Sequence, residues 1–150
     1  MDKSRTFLKG KKCLKSSSIF DVLGDLDELN AVLGIARSKA SPKLNQQILK
    51  IQDDLIEIGG FLAGNLKADF SSKAVLLEKE IQKIADPKVK IFSRPGKNQI
   101  SAFLHLGRSL CRRLERRVID LKKKNLKDLI VFLDFLSNLL FWLVVKEEKK

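Results

Sequence analysis

Seventeen residues near the end of the chain, Leu129 to Val145, read LIVFLDFLSNLLFWLVV, and a helix apolar on nearly every side has to be buried against something. Its length is at the lower limit for a bilayer span, which takes roughly 17–25 residues. Asp134, Ser137 and Asn138 interrupt it at i, i+3 and i+4, which places three polar groups on one face. A charge in mid-membrane is expensive, whereas a bundle helix lined on one side with polar groups is an ordinary place for a ligand. The segment therefore predicts an inner helix of a bundle, with no membrane partner. A helix apolar over so much of its surface also predicts a second copy of the chain against it, and hence a homo-oligomer.

The other helices are read from apolar residues recurring at steps of three and four. Val22, Leu26, Leu29, Leu33 and Ala36 mark one through about residues 19–39, which Ser41-Pro42 ends while opening the next. Leu44, Ile48, Ile51, Leu55, Ile58 and Leu62 carry that second helix to about residue 64, and Gly59-Gly60 within it predicts a close helix contact. A shorter helix runs from about Ser72, a good capping residue, to Ala85, where Asp86-Pro87 breaks it. A basic loop with Phe92 and the turn Arg94-Pro95-Gly96-Lys97 leads to a long helix over 98–124, whose apolar line is Phe103, Leu106, Leu110, Leu114, Val118 and Leu121. Lys124-Asn125 then reverse the chain into the last helix, 127–149, and no run alternates with strand period. The expectation is an all-α, up-and-down bundle of four long helices and one short one, a single domain over 1–150 with a basic N-terminal segment at 1–18. His105, Trp142 and the phenylalanines at 132, 135 and 141 are predicted to be packing or interface residues.

Thirty Lys and Arg against 18 Asp and Glu leave a net charge of +12, which points to an anionic partner. The charge is not confined to a tail. Within the long helix, Arg108, Arg112 and Arg116 share one face, and Glu115 falls three residues after Arg112. Guanidiniums bind phosphate oxygens bidentately and keep their charge when partly desolvated, so the row suits a polyphosphate; a solvated charged face is the plainer alternative. Arg117 falls outside the row and is expected to matter little under either reading. Cys13 and Cys111 give neither a disulfide framework nor metal-ligand spacing, which fits a reduced, cytoplasmic compartment, and Met1 to Lys15 is basic without the apolar stretch of a signal peptide.

The segments KGKKCLKSSSIFDVLGDLDELNAVLGIA, IQDDLIEIGGFLAG, IFSRPGK, LHLGRSLCRRLERRVIDL and FLDFLSNLLFWL stand in an order and spacing that resembles the ATP:cob(I)alamin adenosyltransferases of the propanediol-utilization type. The resemblance runs from about Thr6 to Leu143, and its most specific parts are Gly24-x-x-Asp27-Glu28-Leu29 and Arg108-x-x-x-Arg112-Arg113-x-Glu115-Arg116. It implies a trimer of bundles with ATP, carrying Mg2+, and cobalamin meeting at subunit boundaries. It also implies attack of Co(I) on the 5′ carbon of ATP with loss of triphosphate, so that the substrate itself supplies the nucleophile. By resemblance, Thr6, Lys15, Arg112, Arg113, Glu115, Arg116 and Asp134 fall to the nucleotide, and Phe92, Asp27 and Asn138 to the corrinoid. Arg108, Arg112 and Asp27 fall to catalysis, with Arg108 and Asp27 a pair at the subunit boundary, and Phe92 is the aromatic that displaces the lower axial ligand. A reductase supplying Co(I) and an adenosylcobalamin-dependent enzyme are the further partners implied.

The sequence departs from the family pattern in three places. The Gly-Asp-x-Gly phosphate-binding turn that usually precedes the threonine is missing ahead of Thr6. Asp134, Phe135 and Asn138 stand where the family usually has asparagine, arginine and aspartate, and Lys97 replaces the second glycine after Pro-Gly. A carboxylate beside a triphosphate adds repulsion unless magnesium or an arginine neutralises it, while Lys3, Arg5, Lys9, Lys11, Lys12 and Lys15 would partly compensate. Two alternatives to the transferase therefore stay open at this stage: an inactive relative that still binds corrinoid or nucleotide, and a basic nucleic-acid-binding bundle supported by charge alone.

Overall fold

The structure is a computed structural model that describes residues 3–90 and 92–150; Met1, Asp2 and Ile91, the first residue of the IFSRPGK loop, lie outside the described residues. Five helices form the body: α1 (Ser18–Ser38), α2 (Pro42–Leu62), α3 (Phe70–Ile84), α4 (Gln99–Asp120) and α5 (Lys127–Glu148). Strands were not expected anywhere, but the basic N-terminal segment holds two short ones, β1 (Arg5–Leu8) and β2 (Lys11–Leu14), paired antiparallel with Thr6 opposite Cys13 and Leu8 opposite Lys11. Between them Lys9 and Gly10 both take positive φ, 51° and 71°, the requirement of the two-residue turn whose twist matches a hairpin. Strands of four residues, RTFL and KKCL, are too short to show the alternation that betrays longer ones.

Local chemistry sets the helix ends. Pro42 occupies the first turn of α2, where its missing N–H costs nothing. The cap of α3 is Asp69 and not Ser72: Asp69 accepts from the Ser72 N–H at 3.0 Å and from the Ser72 hydroxyl at 2.6 Å. Both bonds favour the charged carboxylate, so the Asp69 pKa lies below its ordinary value, the hydroxyl bond contributing most. Asn98 caps α4 by accepting from Ser101 N at 2.8 Å. That helix stops at Asp120, short of the expected 124, because Lys122 turns left-handed at φ 54°.

Packing runs in the order α2, α1, α4, α5, α3, and one hydrophobic core threads all five helices. α4 lies close on α1 at Gly107, where a Cβ would come within 3.1 Å of Leu33 Cδ2. Gly59 is similarly crowded by Leu26 of α1, the close helix contact expected there, whereas Gly60 is crowded by Leu66 of the loop that follows α2. The seam between α3 and α2 is bridged by long side chains: Lys73 pairs with Asp54 (2.5 Å) and Glu57 (2.8 Å), Lys50 pairs with Glu80 (2.8 Å), and Phe61 meets Phe70 edge-on.

Two expected faces shift. The buried line of α4 is Leu104, Gly107, Cys111, Leu114 and Val118, with Leu110 at its edge, while Leu106 is 46% exposed. Apolar residues at 103, 104 and 106 made two adjacent lines plausible, and the glycine decides between them by letting α1 approach. On α5, Ser137 turns inward and donates to the Asp134 carbonyl at 2.9 Å, whereas Asp134 and Asn138 face outward. By length and composition α5 could cross a membrane, but half of its most apolar stretch is buried among the other helices.

Candidate functional site

The site is organised by α4, which presents arginines to two different surroundings. Arg112 and Arg116 are exposed, and among the described residues neither has an ion-pair partner. Arg116 Nη1 donates to the Arg112 carbonyl at 3.3 Å, which lays its side chain along the helix. One residue further round, Arg113 Nη2 reaches Asp25 Oδ1 at 2.7 Å and also pairs with Glu28, and Arg117 Nη1 reaches the same Asp25 oxygen at 3.1 Å and the Asp21 carbonyl at 3.2 Å. Arg117 is therefore a structural tie between α4 and α1, which corrects the expectation that it matters little. Holding two carboxylates raises the Arg113 pKa, with the Asp25 bond the largest cause.

Arg108, the third member of the row, is half-buried. Its guanidinium carbon lies 4.7 Å from the centre of the Phe92 ring and 6.0 Å from that of Phe141, a cation held over aromatic faces. Its Nε is buried without a hydrogen-bond partner. Burial first, and repulsion by Arg112 second, lower its pKa, so the site holds a cation short of compensating charge. Phe92 is 60% exposed and stacks edge-on with Phe141, which stacks in turn on Trp142. Phe92, Ser93, Pro95, His105, Leu106 and Arg108 line an open hollow of about 470 Å³.

Between the arginine row and α5 lies a negative pole. Burial and the nearby Asp134 both raise the Glu115 pKa, against the opposing pull of Arg112 and Arg116. Cys111 beneath them is fully buried, with Sγ donating to the Leu133 carbonyl at 3.5 Å, and desolvation pushes its thiol far up; it is no nucleophile. No group of three or more His, Cys, Asp or Glu that could hold a metal occurs among the described residues.

The structure thus brings together Arg108, Arg112, Arg116, Glu115 and Asp134 along the α4–α5 edge, with Phe92 at one end. Asp27 is exposed on α1 and, within the described chain, makes no ion pair with Arg108; Asn138 is exposed on α5. Thr6 is half-buried in β1 and Lys15 follows β2, and neither is hydrogen-bonded to the row through its side chain. Sequence reading missed Asp25, although it stands three residues after Val22 and four before Leu29, on the buried stripe of α1. It is 3% exposed, and a carboxylate on an apolar line needs a cation.

A family model described as cobalamin adenosyltransferase matches residues 1–147. The chain belongs to that family. Among relatives of this cobalamin adenosyltransferase family member is the corrinoid adenosyltransferase of Bacillus subtilis, 33% identical across 81% of this chain and 69% of the relative. The human corrinoid adenosyltransferase MMAB is 34% identical across 93% of this chain and 62% of the relative, so the chain spans about two thirds of these proteins. A variant PduO-type ATP:corrinoid adenosyltransferase from Lactobacillus reuteri, complexed with cobalamin and ATP, superposes with a TM-score of 0.88 at 26% identity, covering 99% of this chain and 90% of that one. A second variant of that type, complexed with ATP, gives 0.87 at 28% identity, covering 99% and 91%. The expected helical bundle and family are thereby established, and these relatives favour neither the inactive nor the nucleic-acid-binding reading.

Proposed function

We propose that the protein transfers the 5′-deoxyadenosyl group of ATP to the cobalt of cob(I)alamin, releasing triphosphate and forming adenosylcobalamin. The observation that carries this reading is the row Arg108–Arg112–Arg116, which makes no ion pair with a carboxylate among the described residues and ends on the exposed ring of Phe92: a polyanion subsite beside a flat apolar surface. In the reaction the Co(I) lone pair forms the Co–C5′ bond while the C5′–O bond breaks, and the departing electron pair stays on triphosphate. The protein supplies no nucleophile. Its arginines place the phosphates and stabilise the leaving charge.

In this reading Arg112 and Arg116, with Lys15 and Thr6, take the triphosphate; Arg113, held by Asp25 and Glu28, orders the row against α1 and borders the nucleotide. Glu115 and Asp134 form the opposing pole, which the Mg2+ carried by ATP would offset. Phe92 excludes the lower axial base of the corrinoid, with Asp27 and Asn138 at its rim. Three copies complete the site, Asp27 of one meeting Arg108 of the next, and exposed Leu106 and Val131 are covered in the trimer. The whole of residues 1–150 acts as one cytoplasmic unit in which 1–18 serves the nucleotide, fed by a reductase and drained by an adenosylcobalamin-dependent enzyme; its two cysteines stay free, as a reducing compartment requires.

The test is formation of adenosylcobalamin from MgATP and chemically reduced cobalamin, followed optically, with sedimentation giving a mass near three times 17.0 kDa. Phe92→Ala should abolish the spectral change of bound cob(II)alamin toward the four-coordinate form. A monomeric chain without turnover would overturn the proposal.

A further inference from the structure

The loop bearing Phe92 is fastened to the C-terminal turn of α5. Lys97 Nζ donates to the Glu148 carbonyl at 2.6 Å, Asn98 Nδ2 donates to the Glu147 carbonyl at 3.3 Å, and Lys149 Nζ meets Asp86 Oδ2 at 2.6 Å. The first two bonds take up carbonyls that a helix end leaves without partners, and the third is an ion pair. Beneath them lies His105 of α4. Its Nε2 stands 3.4 Å from the Ser93 hydroxyl, next in sequence to Phe92, and 3.4 Å from Glu148 Oε1.

The His105 and Glu148 side chains are only 11% and 7% exposed. Glu148 Oε1 is buried and has no other hydrogen-bond partner among the described residues, and its approach to the imidazole lacks good hydrogen-bond geometry. A buried carboxylate oxygen left in this way is costly unless a donor stays beside it, and His105 is the donor within reach. One imidazole therefore joins α4, the Phe92 loop and the end of α5. The same histidine lines the hollow in which Arg108 stacks on Phe92.

We infer that His105, backed by Glu148, is a positioning residue that fixes the Phe92 loop over the corrinoid side of the site. The inference rests on the proposed contact of Phe92 with the corrinoid. It differs from simple packing because an imidazole nitrogen, and not the ring's bulk, makes the connection. Glutamine can place an amide near Nε2, whereas leucine fills the space without a donor.

The experiment compares wild type, His105→Leu, His105→Gln, Ser93→Ala and Phe92→Ala by amide hydrogen exchange and by the spectrum of bound cob(II)alamin in the presence of ATP. Exchange over residues 88–98 should quicken by about fivefold in His105→Leu, the factor expected from losing one ordinary hydrogen bond, and return toward wild type in His105→Gln. The four-coordinate fraction should fall in His105→Leu and be restored in His105→Gln. Ser93→Ala removes an exposed hydroxyl and keeps the test alive if His105→Leu fails to fold; its four-coordinate fraction should fall too. Faster exchange with an unchanged spectrum, or equal behaviour of the leucine and glutamine variants, would overturn the positioning role while Phe92→Ala still abolished the signal. If Phe92→Ala leaves the spectrum intact, the corrinoid assignment itself falls and takes this inference with it.

Discussion

Arg112 and Arg113 are neighbours in sequence and opposites in surroundings. Arg112 is exposed on α4 with no carboxylate paired to it among the described residues, while Arg113 turns toward α1 and closes on Asp25 and Glu28. Arg116 and Arg117 repeat the contrast one turn later. An offset of 100° per residue is enough to divide four identical side chains into two that hold the protein together and two left for a ligand. The division depends on Asp25, a single buried carboxylate that accepts from both structural arginines and so keeps them away from the row.

Asp25 is accordingly where the comparison breaks most severely. Asp25→Ala removes the shared acceptor and strands Arg113 and Arg117, and urea denaturation should show a loss of about 2–3 kcal/mol, discounted from a fully buried pair because both arginines reach solvent. A loss under 0.5 kcal/mol by roughly the usual surface standard would mean that the two pairs of arginines are equivalent.

The next effect sharpens the other half. Arg112→Ala or Arg116→Ala should weaken MgATP binding by about 1.5–3 kcal/mol in calorimetric titration, with stability within about 0.5 kcal/mol of wild type. Arg117→Ala should do the reverse, costing about 1 kcal/mol of stability at unchanged ATP affinity. Equal affinities across the three variants would leave the row as a solvated face.

The smallest effect concerns Glu115, whose pKa is raised by burial and by Asp134. A raised folded-state pKa means the folded protein binds that proton more tightly than the unfolded chain. This contribution is full below the ordinary carboxylate pKa of 4.5 and is lost as pH rises through the folded value. Glu115→Gln should therefore flatten the fall in stability on going from acid toward neutral pH, measured by thermal melts across that window. Added Mg2+ with ATP should raise the wild type's melting temperature more than that of the glutamine variant, and equal shifts would argue against a cation at this pole.

The helix pattern was legible because apolar spacing, Pro42 and the break at Asp86-Pro87 all agreed with one bundle. The hairpin was not, since strands of only four residues carry too little alternation to register and the turn Lys9-Gly10 declares itself only through backbone angles. The arginine row was visible as a periodicity; the partner that separates Arg113 and Arg117 from it, Asp25, lies on the buried stripe of α1 two residues from the exposed Asp27, and only the approach of α4 tells the two carboxylates apart. Leu106 was misplaced because two apolar lines compete on α4 and only contact with α1 chooses between them. His105, Ser93 and Glu148 come from three distant parts of the chain, a meeting that no local pattern announces.

The seam between α2 and α3 sets how the bundle breathes. Where α4 meets α5 the contact is made by buried apolar side chains, and where it meets α1 the arginine pairs close on the buried Asp25, but α3 is tied to α2 by Lys50–Glu80 and by Lys73 to Asp54 and Glu57, ion pairs whose lysines remain 60% and 29% exposed. Charges that reach water are screened by salt and buried leucines are not. Raising ionic strength thus loosens one stave of this barrel before the others, and α3 can swing outward on its contact with α5 while the arginine-bearing helix keeps its place.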